Sequence, residues 1–174
     1  MTLLHWRYAG KEDEPLREQF ICASPPRWIY SRPRGRHHPR PWEIEVQSWI
    51  HPPRPIYDDE LLLLGLDDQG IGALAWWSED AGPSDVMLKA AAVDVRYRGQ
   101  GRGNCGPVAS ELMQETLKRL KQRAMDVRAE TITIQANIDQ RNVPSTRLFG
   151  TAGFEFHTML DERNEIWSYD EDLL

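Results

Sequence analysis

Arg98-Gly99-Gln100-Gly101-Arg102-Gly103 is the densest run of chemically useful residues in the chain. Closely spaced glycines let a backbone turn tightly and approach a ligand with no Cβ in between. The run lies between a stretch that reads as a strand and the longest stretch that reads as a helix. A helix start offers unpaired N–H groups and the positive end of a dipole, so glycines placed there form a cradle for phosphate. Arg96, Arg98 and Arg102 add positive charge at the same place. The chemistry these residues suit is the grip on a pyrophosphate. The overlapping run Gly101-Arg102-Gly103-Asn104-Cys105-Gly106 also fits the dinucleotide fingerprint G-x-G-x-x-G. That fingerprint follows the first strand of a βαβ unit and needs an acid at the end of the next strand to hold a ribose. Here the run follows a meander, Glu130 precedes the next strand, and Asn137 and Ile138 occupy its end.

A second constellation stands some forty positions on. In Asn142-Val143-Pro144-Ser145-Thr146-Arg147-Leu148-Phe149-Gly150-Thr151-Ala152-Gly153-Phe154, residues 142, 145 and 149 are spaced i, i+3 and i+7. On a helix they share one face. That face presents an amide, a hydroxyl and a ring to one extended ligand, and Gly153 suits the helix C-cap.

The elements that must position these groups follow from periodicity. Residues 2–8 read as a strand, and residues 13–22 as a short helix with Pro15 in its first turn. Residues 23–41 read as an Arg- and Pro-rich loop. Residues 42–51 read as a helix with Trp42, Val46, Trp49 and Ile50 on one face. The apolar runs 61–66 and 71–78 flank Asp67-Asp68-Gln69-Gly70, a hairpin turn, and 86–95 is a third strand. Residues 104–124 form the longest helix, with Val108, Leu112, Thr116, Leu117, Leu120 and Ala124 as its buried stripe. A strand over 130–138 alternates apolar and polar residues, a helix spans 143–152, and 154–160 with 166–169 form a last hairpin. Three strands in succession precede the β–α alternation. The expected class is α/β (α+β), with a mixed, mostly antiparallel central sheet of about seven strands flanked by about four helices.

Both constellations, in this order and on these elements, resemble the GNAT (Gcn5-related N-acetyltransferase) superfamily. Arg98, Gly101 and Gly103 fill its pyrophosphate-loop pattern Q/R-x-x-G-x-G/A, preceded by Ala92-Val93-Asp94-Val95-Arg96-Tyr97-Arg98-Gly99. Residues 142–154 look like its N-x-x-[AS]-x-x-L-[YF]-x-x-x-G-F pattern. The resemblance covers residues 60–170 well and the first 55 loosely. It implies one domain over residues 1–174, with 1–57 as a variable acceptor-side region and 58–174 as the acetyl-CoA-binding core. It also implies a sheet splayed between the strands at 86–95 and 130–138, with acetyl-CoA as co-substrate in the split. Backbone groups around Val93, Asp94 and Val95 would then hold the pantetheine and the thioester carbonyl. Arg98, Gly99, Gln100, Gly101, Arg102, Gly103 and Asn104 would hold the pyrophosphate. Asn137, Asn142, Ser145 and Phe149 would complete the contacts. The implied reaction is N-acetyl transfer by direct attack of an acceptor amine, small or peptidic.

Two residues depart from the family's habits. Phe149 stands where a Tyr often protonates the leaving thiolate, and Asn137 stands where some members carry a Glu base. Phe donates no proton. Water, Ser145 or Tyr97 could relay one, and Glu79, Asp80 or Asp85 could supply a base; Glu79 and Asp85 are the candidates taken forward. The alternative the departures favour is a catalytically weak acyl-CoA-binding sensor or partner-binding module.

Composition bounds the rest. The chain has 174 residues, a formal net charge of −6 and seven Trp. No apolar run approaches the ~20 residues of a membrane span, and the first residues lack the pattern of a secretory signal. With Cys22 and Cys105 the only thiols, a cytoplasmic location is expected. Residues 27–54 hold six Arg and three His against Glu43 and Glu45. The Arg-rich loop 27–40 within that stretch is most simply a solvated loop, leaving an aminoacyl-tRNA as the one nucleic-acid acceptor in view. The opposite guess is a cationic amine held by Asp58, Asp59, Glu60 and Glu79 with Trp76 and Trp77. His37, His38, His51 and Cys22 match no compact ligand spacing, so no metal is expected. A homodimer through the hairpin 154–169 is an analogy with the superfamily.

Overall fold

In the computed structural model, which describes residues 4–23, 40–98 and 106–173, seven strands form one sheet in the order β1-β2-β3-β4-β5-β7-β6. The strands are β1 (His5–Tyr8), β2 (Glu60–Asp67), β3 (Gly70–Ser78), β4 (Asp85–Val93), β5 (Thr131–Asp139), β6 (Glu155–Met159) and β7 (Asn164–Asp172). Four α-helices are described: α1 (Glu14–Gln19), α2 (Pro41–Ile50), α3 (Gly106–Asp126) and α4 (Val143–Thr151). Every adjacent strand pair is antiparallel except β4 with β5. The mixed α/β sheet expected from the element order is present.

The core lies on both faces of this sheet. On one face α3 packs Val108, Leu112, Met113, Leu120 and Ala124 against Leu63, Trp77, Val86, Leu88, Ile132 and Ile134. On the other face Leu16, Val46, Trp49 and Ile50 pack against Leu62, Leu64, Leu74 and Trp76. Burial on both sides explains why β2 reads as Leu61-Leu62-Leu63-Leu64 with no alternation. Thr116, the one polar member of the α3 stripe, donates its hydroxyl to the Leu112 carbonyl at 2.7 Å.

Several boundaries move for identifiable reasons. Helix α1 stops at Gln19 because Phe20 is already extended and turns into the core. Helix α3 is described from Gly106, whose φ of +74° suits glycine, and runs to Asp126, two residues past the expected end. Strand β7 runs to Asp172, well past 169, because it pairs with β5 from Thr131 to Asp139 along its whole length. That pairing holds an acidic stretch in a strand that its own composition does not favour.

Candidate functional site

Strands β4 and β5 run parallel and pair only from Asp85 to Leu88 and from Thr133 to Ala136. Beyond that, β4 continues to Val93 and β5 to Asp139 without pairing each other. The cause of the split is local. Trp77 faces Leu88 and Trp76 faces Ala90, so Lys89 is an extra residue in β4. Such a bulge bends and twists its strand. It also exchanges the faces: Val86 and Leu88 lie in the α3-side cluster, whereas Ala90 and Ala92 lie in the α2-side cluster.

The split opens a cleft of 1610 Å³. Pockets for one drug-sized ligand run roughly 300–1,000 Å³, and this cleft is larger than that range. One wall carries Val93, Val95, Tyr97 and Arg98. The opposite wall carries Asn137, Asn142, Ser145 and Phe149, so the face expected from the i, i+3, i+7 spacing does line the cleft. Asn142 caps α4, its side chain accepting from the Ser145 N–H at 3.4 Å. Phe149 is buried edge-on to Phe154, ring centroids 4.8 Å apart. Gly99, Gln100, Gly101, Arg102, Gly103 and Asn104 lie outside the described residues.

Two of the anticipated backbone contacts are already spent. The Asp94 N–H donates to the Gly72 carbonyl at 2.9 Å and the Val95 N–H to the Ile21 carbonyl at 2.8 Å. Their own carbonyls accept from Tyr97 and Arg98. The Asp94 carboxylate is buried and accepts from Ile21 N, Arg96 N and Arg96 Nε, anchoring the chain as it leaves β4. Asp94 is therefore a brace, and the open polar edge of β4 lies between Lys89 and Val93. Tyr97 hydrogen-bonds the Asp67 carboxylate, a contact that raises its phenol above the ordinary range.

The two acids put forward as bases stand elsewhere. Glu79 takes a two-pronged grip from Arg123 at 2.6 and 2.7 Å and accepts from the Trp77 indole at 3.2 Å. Arg123 belongs to α3, on the side of the sheet away from α2. Asp85 is exposed at the closed, paired start of β4. Neither lines the cleft, which opens past the far end of that pairing.

Of the acids and rings read as a cationic-amine site, Asp59 is exposed and lines the cleft, whereas Glu60, Glu79, Trp76 and Trp77 are already engaged. Glu60, buried on the cleft wall, accepts from Arg54 at 3.0 and 3.1 Å, Lys89 at 2.8 Å, the Trp76 indole at 3.2 Å and Tyr57 N at 3.2 Å. Burial pushes the Glu60 carboxyl up, but these donors outweigh it and hold it down at about 2. The ring of Trp76 is covered by Arg54 at 4.1 Å and Arg17 at 5.2 Å. Trp77 is buried on the opposite face, edge-on to Tyr8. Charge composition pointed to Glu60 but not to its partners. Lys89 carried no sequence signal, because an isolated Lys inside a strand reads as a solvent-facing alternation.

At the mouth, Arg98 donates to the buried Glu43 at 2.6 Å and Arg40 to the same oxygen at 3.1 Å. Across the cleft Arg141 stacks over Trp42 at 5.5 Å, joining the start of α4 to α2. A hydrogen bond from Arg141 keeps the Asp139 carboxyl below its usual range. Among the described residues no group of three or more His, Cys, Asp or Glu could hold a metal ion.

No protein-family model matches the sequence, and no curated protein matches it. Solved structures do. One is the PaiA N-acetyltransferase of Thermoplasma acidophilum in complex with coenzyme A: 14% identity, 98% of this chain and 100% of that one covered, TM-score 0.65. A second is the ribosomal-protein-S18-alanine N-acetyltransferase of Escherichia coli: 14% identity, 97% and 93% covered, TM-score 0.58. A third is a spermidine N-acetyltransferase chimera of Vibrio cholerae SpeG and hSSAT: 12% identity, 98% and 96% covered, TM-score 0.59. The chain has the GNAT fold.

Proposed function

We propose that a chain with this fold and this cleft is an acetyl-CoA-dependent N-acyltransferase. The observation that carries the reading is the split of β4 from β5, with the Asn142, Ser145 and Phe149 face forming the wall opposite the open edge of β4. An extended, polar-jointed ligand such as the pantetheine arm fits between a strand edge and a helix start. Support comes from the similar structure that holds coenzyme A and from the glycine–arginine run that follows β4 in the sequence.

The acceptor amine attacks the thioester carbonyl carbon. The C–N bond forms, the C–S bond breaks, and the thiolate leaves with the electron pair while the amine loses a proton to water. N–H groups on the open edge of β4 polarise the carbonyl, and holding both substrates in one cleft supplies much of the rate. A thiolate with a conjugate-acid pKa near ~8.5 departs without a strong acid, so Phe149 is compatible with turnover. Glu60 at about 2 is too weak a base to help.

The experiment is a steady-state assay of CoA release against a panel of amines. Release that requires an amine supports the enzyme. Phe149 and Asn137 favour the second reading, a catalytically weak acyl-CoA-binding module; a protein that binds acetyl-CoA and turns over no amine would favour that one.

A further inference from the structure

Two buried glutamates of the cleft are each held between two cations. Glu43 lies between Arg40 and Arg98, and Glu60 between Arg54 and Lys89. Each trio carries one excess positive charge. The first stands where the glycine–arginine run begins and answers to the pyrophosphate. The second stands at the bulge where β4 starts to open, beside the place proposed for the thioester.

The second trio has donors to spare. A carboxylate offers about four lone-pair sites. Glu60 already accepts five hydrogen bonds, and Lys89 gives it one of its three N–H groups. Lys89 and Arg54 both line the cleft and retain 30% and 28% side-chain exposure. An acceptor with a second cation would meet like charges at the trio itself, although the exposed Asp59 also lines the cleft. Next to the trio the wall is apolar: Val46 and Trp49 pack on the cluster that holds Trp76, and both line the cleft, as does Met87.

Resting on the acyltransferase reading, we propose that the acceptor is an amine that carries its own carboxylate next to an apolar group, an apolar amino acid, with that carboxylate bound by Lys89 and Arg54. A carboxylate held on Lys89 puts an α-amine within a few bonds of the open edge of β4. The amine then attacks the acetyl thioester to give the N-acetyl amino acid, CoA and a proton.

The test compares leucine, leucinamide, isoamylamine and spermidine as acceptors at saturating acetyl-CoA. It uses the wild type, Lys89→Met and Lys89→Arg, with folding checked by thermal melting. The expected result is a kcat/KM for leucine at least tenfold above those of the other three, since losing one charge-assisted hydrogen bond costs about tenfold or more. Lys89→Met is expected to shrink that preference to under about threefold through KM, and Lys89→Arg to restore most of it. Calorimetry gives a second readout: N-acetyl-leucine binds more tightly than N-acetyl-leucinamide, and the difference vanishes in Lys89→Met. Leucinamide or spermidine used as well as leucine overturns the proposal, as does a preference untouched in Lys89→Met. Preference for succinyl-CoA over acetyl-CoA, lost in Lys89→Met, also overturns it by assigning the site to the acyl group. These outcomes leave the acyltransferase reading standing. If no amine of the panel elicits CoA release and acetyl-CoA does not bind, that reading falls and this one with it.

Discussion

Glu60 shows how one side chain sets the character of the cleft wall. Its carboxyl lies at about 2 in the fold, against 4.5 for the free group. A depressed carboxyl stabilises the fold fully above its unfolded pKa, and that contribution is lost as pH falls through the folded value. At about 1.4 kcal/mol per unit, Glu60 contributes about 3 kcal/mol at neutral pH, lost between about 4.5 and about 2. Glu60→Gln is therefore expected to lower urea stability by about 2–3 kcal/mol at pH 7, with a gap clearly smaller at pH 3. A gap independent of pH would contradict the ion-pair account. Phe149 gives a catalytic prediction at the same scale. Phe149→Tyr adds a phenol to the cleft wall, and general acids typically contribute ~10²-fold or more. A rise in kcat of about tenfold in the CoA-release assay is expected; an unchanged kcat would mean that thiolate departure does not limit the rate.

Among the elements, the bulge in β4 is the decisive one. If Lys89 paired in regular alternation instead of bulging, Ala90 and Ala92 would face the α3 side and the strand would have no local cause to bend away from β5. The exit of the strand is braced by Asp94, which holds Ile21 and Arg96 together. Asp94→Ala is expected to cost about 1–3 kcal/mol and to weaken acetyl-CoA binding at least several-fold, because the residues after Tyr97 lose their anchor. Unchanged affinity by calorimetry would show that the brace does not serve the cofactor side. Much at this scale was legible in the sequence. The hairpin turn at 67–70, the α3 stripe and the i, i+3, i+7 face all stand where periodicity placed them. The bulge was not legible, since an inserted residue leaves the even-numbered apolar pattern 86, 88, 90, 92 intact while changing which face each side chain occupies. Nor were the partners of Glu79 and Glu60, because Arg123 and Lys89 are 44 and 29 positions away and meet them only through the fold.

For the whole molecule, one sheet with a helix layer on each face supports a split that belongs to neither layer. The α3 side supplies a closed core, and the α2 side brings Trp42, Val46 and Trp49 over the cleft. No helix among the described residues is long and apolar enough to cross a membrane. The most direct test of the account is calorimetric titration of acetyl-CoA into the wild type and into Gly101→Asp, which sets a carboxylate where the sequence motif expects pyrophosphate. The account predicts saturable one-to-one binding by the wild type and at least a hundredfold loss in the variant, about 2.7 kcal/mol. Absence of binding by the folded wild type would contradict it, leaving the split between β4 and β5 as a feature of the fold with no acyl donor to hold.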